Sequence, residues 1–145
     1  MARVLIKKLN SKVELPVYKT TGASGMDLMA FLEEPIKIMP NSSYVVPTGL
    51  SVAFSEDYEI QIRPRSGLAA KNDITVLNTP GTIDSDYRGE IKIILFNHGN
   101  KEFIINNKDR IAQMILMPIV KMDLQESESL PVSVRGEGGF GSTGK

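Results

Sequence analysis

The sequence contains no cysteine, which excludes disulfides and thiolate metal sites and leaves the redox compartment open. It has no surplus of either charge. Lys and Arg together number 17, as do Asp and Glu, so no global basic field would gather nucleic acid. Long hydrophobic runs are missing too. The longest, Met114–Val120, is far short of the ~20 residues a membrane-spanning helix needs, and the apolar stretch within Met1–Lys8 is too short for a secretory signal. The single histidine, His98, lies in the turn Asn97-His98-Gly99-Asn100 with no second histidine to join it, and reads as a surface residue. These absences lead to the expectation of a soluble intracellular protein with neither nucleic-acid nor membrane partners. It would be cytoplasmic, or nuclear if the source is eukaryotic or viral.

What is present is a chain of 145 residues, enough for one domain that buries roughly two thirds of its unfolded surface. Short runs with strand character recur along it: Val4–Ile6, Val13–Tyr18 with an interrupting Pro16, Met26–Phe31, Ile36–Ile38, Tyr44–Val46, Leu50–Phe54, Tyr58–Arg63, Ile74–Leu77, Ile91–Phe96, Glu102–Ile105 and Ile111–Met117. Leu50–Phe54 and Tyr58–Arg63 alternate with period two, which predicts antiparallel strands with one wet face. Pro64 stops that rhythm, and Gly67–Lys71 is the best helix candidate, with Ser66 able to cap it. The free N–H groups at that helix start make Arg65, Ser66 and Gly67 a candidate phosphate seat, or simply a capped turn.

The segment Gly81–Glu90 stands out. Two glycines bracket Asp84, Asp86, Tyr87 and Arg88 between the runs ending at Leu77 and starting at Ile91, which reads as a β-hairpin with a loaded tip. A carboxylate can take a proton, an aromatic face can stack and a guanidinium can meet an anion. Asp27 interrupts an apolar strand. It is either an outward-facing residue or a carboxylate usable as an outer-shell metal ligand or orienting group. Gln113 interrupts another, as a satisfied buried amide or a ligand-facing one. Residues 121–134 read as a polar connector, and Arg135–Lys145 holds five glycines with Phe140, Ser142 and Thr143. Such a tail cannot build a core, yet its backbone N–H groups could wrap phosphates and Phe140 could stack on a flat ring.

Five segments together resemble, in order, the five motifs of the homotrimeric deoxyuridine triphosphate nucleotidohydrolases (dUTPases): Ala23–Leu28, Pro64–Ala69, Gly81–Gly89, Arg110–Gln113 and Arg135–Gly144. The resemblance spans nearly the whole chain. It implies an all-β fold, a distorted jelly-roll β-barrel with one short helix over residues 1–134, assembled as a trimer with active sites shared between subunits. Residues 135–145 would be a flexible arm closing over the site. Implied as well are the substrate dUTP, the products dUMP and pyrophosphate, a supply of dUMP for thymidylate synthesis, and Mg2+ as cofactor. Asp84 would activate the attacking water. Uracil would be held by backbone groups of the hairpin at Gly81 and Ile83 and touched by Asn78, with Tyr87 under the deoxyribose. Arg65, Ser66, Gly67, Gln113 and Arg135 would hold phosphates, and Phe140, Gly141, Ser142 and Thr143 would complete the arm's contacts. Asp27 would reach Mg2+ through water. Rival readings are a dCTP deaminase-type or bifunctional enzyme and a non-catalytic nucleotide-binding trimer. The deaminase chemistry calls for a glutamate poised at the base, where this chain has Ile83-Asp84-Ser85-Asp86-Tyr87.

Overall fold

The structure, a computed structural model, describes residues 2–140. In chain order its elements are β1 (Leu5–Lys8), β2 (Met26–Met29), β3 (Ile36–Ile38), β4 (Ser42–Pro47), β5 (Leu50–Ala53), β6 (Tyr58–Arg63), α1 (Ser66–Asn72), β7 (Ile74–Val76), β8 (Gly81–Ile83), β9 (Lys92–Asn97), β10 (Phe103–Ile105) and β11 (Arg110–Pro118). All strand pairs among the described residues are antiparallel. The largest sheet runs β2-β11-β6-β8 and faces a second of order β4-β9-β7, while β1-β5 and β3-β10 form two-stranded ribbons. The expected all-β architecture with one short helix is the one observed.

Period-two alternation explains how the layers close. β6 turns Ile60 and Ile62 inward, β11 contributes Ile111 and Ala112, and β9 answers with Ile93 and Leu95 from the opposite sheet. Each such isoleucine or leucine side chain, fully buried, stabilises the fold by roughly 1.5–3 kcal/mol. β11 carries the largest sheet, because it alone pairs with both β2 and β6.

Three local expectations are corrected. Val13–Tyr18 forms no strand: Pro16 has no N–H to give a ladder, and the Val13 N–H bonds back to the Asn10 carbonyl in a turn, leaving Val13 as a core plug. Ser66 does not cap α1. The N-cap is Arg65, which makes no capping hydrogen bond with its side chain, and Ser66 is the first helical residue. Gly81–Glu90 is not merely a hairpin tip. β7 and β9 do pair, with Val76 opposite Leu95, but the connection between them dips into the other sheet, where β8 sets Gly81 opposite Ile62 and Ile83 opposite Ile60. The segment therefore ties the two layers together.

One polar core residue escapes any periodicity argument. Asn97, fully buried at the end of β9, donates to the carbonyls of Ile38 (2.9 Å) and Lys101 (2.8 Å) and accepts from the Gly99 N–H (2.8 Å). The amide closes the turn into β10 and holds it on β3. Asn97→Ala would strand these partners in a dry environment, so chemical denaturation should show a loss of about 2–4 kcal/mol. A change below ~0.5 kcal/mol, the scale of an ordinary surface substitution, would show that the turn closes without it.

Candidate active site

The sheet β2-β11-β6-β8 positions nearly every candidate residue. Asp27 on β2 lies opposite Gln113 on β11, and Gln113 lies opposite Arg63 on β6. Two residues beyond Arg63, the chain turns at Pro64 and delivers Arg65. The Arg65 Nε donates to Asp27 Oδ1 at 2.9 Å, and its Nη1 donates to the Arg110 carbonyl at 3.0 Å. The Arg110 guanidinium reaches Asp27 Oδ2 at 3.3 Å. The Gln113 Nε2 donates to the Pro64 carbonyl at 2.9 Å, so its amide pins the corner from which Arg65 departs. One carboxylate thus sits between two guanidiniums, and the cluster keeps a surplus positive charge suited to an anion. Ser66 and Gly67 follow on the first turn of α1, exposed. Arg110 carries no assigned role in the sequence reading. A charged residue opening an apolar strand was its only local signal.

A second group gathers around β8. Asn78, Gly81 and Ile83 line one recess, walled also by Ile62, Val76 and Ile93. Asp84 follows β8 directly and is exposed. A turn closed by the Tyr87 N–H on the Asp84 carbonyl (3.1 Å) brings Tyr87 round, and its hydroxyl donates to the Glu90 carbonyl at 3.0 Å.

The two groups are apart within one chain. Ile83 pairs with Ile60, so Asp84 comes level with Glu59, six residues before Arg65. At ~3.3 Å per residue this is roughly 20 Å. The arm is remote as well. After the Ile119 N–H bonds to Asp57 and Lys121 pairs with Glu56, the described residues make only local hydrogen bonds. Arg135 folds back on the Gly138 carbonyl at 2.7 Å, and Phe140 is fully exposed. Gly141, Ser142 and Thr143 lie outside the described residues.

A family model described as dUTPase matches residues 11–144. The chain belongs to the dUTPase family. Among its relatives, the deoxyuridine 5'-triphosphate nucleotidohydrolase of Chlamydia pneumoniae is 55% identical over 94% of this chain and 95% of its own. That of Hydrogenobaculum sp. (strain Y04AAS1) is 51% identical over 98% of each. In fold, the chain is similar to the Staphylococcus bacteriophage 80alpha dUTPase solved with dUpNHpp, at a TM-score of 0.88, 24% identity and 99% coverage of both chains.

Within this dUTPase-family chain the Asp27 cluster allows a numerical test. Asp27 and Arg65 side chains are 21% and 25% exposed, whereas Arg110 is 50% exposed and its contact is longer. Screening by water should therefore leave the first pair stronger. Double-mutant cycles read by denaturation should give about 1–2 kcal/mol of coupling between Asp27→Asn and Arg65→Gln, and about 0.2–1 kcal/mol between Asp27→Asn and Arg110→Gln. Equal or reversed couplings would show that Arg110 is the main partner.

Proposed function

We propose that this chain is a dUTP diphosphatase, hydrolysing dUTP between the α- and β-phosphates to dUMP and pyrophosphate, and so lowering dUTP and supplying dUMP for thymidylate synthesis. The observation that carries the reading is the β8 segment, where a recess lined by Asn78, Gly81 and Ile83 is followed at once by an exposed carboxylate and an aromatic ring. The names of the relatives that share about half of this sequence point to the same substrate.

In this reading uracil enters the recess and meets backbone groups at Gly81 and Ile83 and the Asn78 side chain. The deoxyribose lies on Tyr87, where a 2′-hydroxyl would collide. Asp84 orients the attacking water and accepts its proton. Arg65, Ser66, Gly67, Gln113 and Arg135 hold the phosphates, and Phe140, Gly141, Ser142 and Thr143 close over the nucleotide. Mg2+ fits as a cofactor bound mainly by the substrate. No group of three or more carboxylates or histidines able to hold a metal exists among the described residues. A hard cation that keeps its waters needs few protein ligands. Asp27 uses one contact on each oxygen for a guanidinium and retains acceptor capacity for a metal-bound water. When bound, the ion neutralises phosphate charge. A carboxylate is a weak base, so positioning and charge neutralisation supply most of the rate. With Mg2+ present, Asp84→Asn should lower kcat on dUTP by roughly 10²–10⁴ with nucleotide affinity retained. Near wild-type turnover would remove Asp84 as the base, and ammonia released from dCTP would turn the reading toward a deaminase.

Two features support assembly as a homotrimer with shared sites. Asp84 and Arg65 are too far apart in one chain to act on the same triphosphate. The segment leading to the arm also presents Val120, Met122 and Leu124, then Leu130, Val132 and Val134, all heavily exposed and spaced by two. This is strand patterning without a partner on its own chain, in a stretch whose sequence reads as a polar connector. Residues 135–145 would then serve as a lid on a neighbour's site. Sedimentation should give about three times the 16.0 kDa chain mass. Mixing an Asp84→Asn variant with a variant lacking residues 135–145 should restore activity that neither has alone. A fully active monomer would defeat the assembly.

A further inference from the structure

Tyr87, the proposed platform for the sugar, is 44% exposed on an irregular loop, so its ring must be held in place from outside that loop. Two contacts fix it. The hydroxyl end of Tyr87 lies over Gly89: a Cβ built on Gly89 would stand 2.3 Å from the Tyr87 hydroxyl oxygen and 2.5 Å from the adjoining ring carbon. No side chain fits there unless the ring moves. The hydroxyl is then held by the Glu90 carbonyl at 3.0 Å. Glu90 is fastened in turn. Its Oε1 accepts the Gly49 N–H at 2.9 Å, across the gap to the β4–β5 turn, and Lys92 stands 3.8 Å from its other oxygen. The same turn grips the next residue, since Thr48 donates to the Ile91 carbonyl at 2.6 Å and the Ile91 N–H donates to Leu50 at 2.8 Å.

From this geometry we propose that Gly89 and Glu90 are specificity-determining positioning residues, which set the discrimination between deoxyribose and ribose by fixing the plane of Tyr87. The proposal rests on the dUTP reading and on Tyr87 as the sugar platform. Gly89 supplies the missing volume into which the ring settles. Glu90 supplies a carbonyl whose position is locked to the barrel through its own carboxylate. A ring free to rock by an ångström would admit a hydroxyl that a fixed ring rejects. A site can discriminate a single small group only to the extent that its wall is fixed.

The test is the ratio of kcat/KM for dUTP to that for UTP, measured with Mg2+ on the assembled protein, with the melting temperature taken for each variant. Gly89→Ala should lower the ratio about tenfold or more, chiefly by raising turnover of UTP. Glu90→Ala should lower it in the same direction, while Glu90→Gln, which keeps an oxygen for the Gly49 N–H, should stay close to wild type. A merely structural role would depress both nucleotides equally and leave the ratio unchanged, and that result overturns the proposal. If Tyr87→Ala collapses the ratio while Gly89→Ala and Glu90→Ala do not, the ring needs no positioning and the proposal fails with the sugar platform intact. If Tyr87→Ala leaves the ratio unchanged, or wild type cleaves dUTP and UTP alike, the sugar platform itself fails and the proposal with it.

Discussion

A single strand in the middle of a sheet sets most of what this molecule can do. β11 is hydrogen-bonded on one side to β2 and on the other to β6, so Asp27, Gln113 and Arg63 are held in one row by backbone register before any side chain acts. Arg65 leaves from the end of that row and can reach Asp27 only because Pro64 turns the chain where the Gln113 amide catches its carbonyl. The cluster around Asp27 is therefore a product of ladder pairing. Its side-chain contacts refine a juxtaposition that the main chain has already made.

Much of this was legible in the residues. Period-two alternation located Tyr58–Arg63 as a strand with its observed bounds, and Pro64 marked where it stops. The glycines at 81 and 89 flagged the segment that carries Asp84 and Tyr87. What alternation does not encode is partnership. Nothing local in Gly81–Ile83 says that it pairs with β6 rather than closing a plain hairpin, because that choice depends on partners at Ile60, Gln61 and Ile62, far back along the chain. Asn97 escaped for a similar reason: an amide at a strand end looks like turn chemistry until its partners at Ile38 and Lys101 are known. The apolar residues of the connector were hidden by their glutamates and serines, since composition averages over a pattern that position reveals.

The same register that builds this row also sets it apart from Asp84. β8 adds to the far side of β6 and runs antiparallel to it, so the further the chain proceeds toward Asp84, the further it travels from Arg65. Bringing them together within one chain would require a different sheet order. A connector that leaves the body with apolar residues on alternate positions belongs to the same economy of design: surface that one copy cannot cover is surface a second copy can use.

The carboxylate held between two guanidiniums has an evolutionary corollary. Asp27, Arg65 and Arg110 lie far apart in sequence, yet each answers for the charge of the others. Loss of Asp27 would set two cations facing each other, and loss of Arg65 would leave the carboxylate to its more exposed neighbour. A lineage that changes one member shifts the charge balance the others must meet, most strongly between Asp27 and Arg65. The three positions should drift through sequence space as a single inherited character, and a chain that has lost one of them should carry the compensation at the other two.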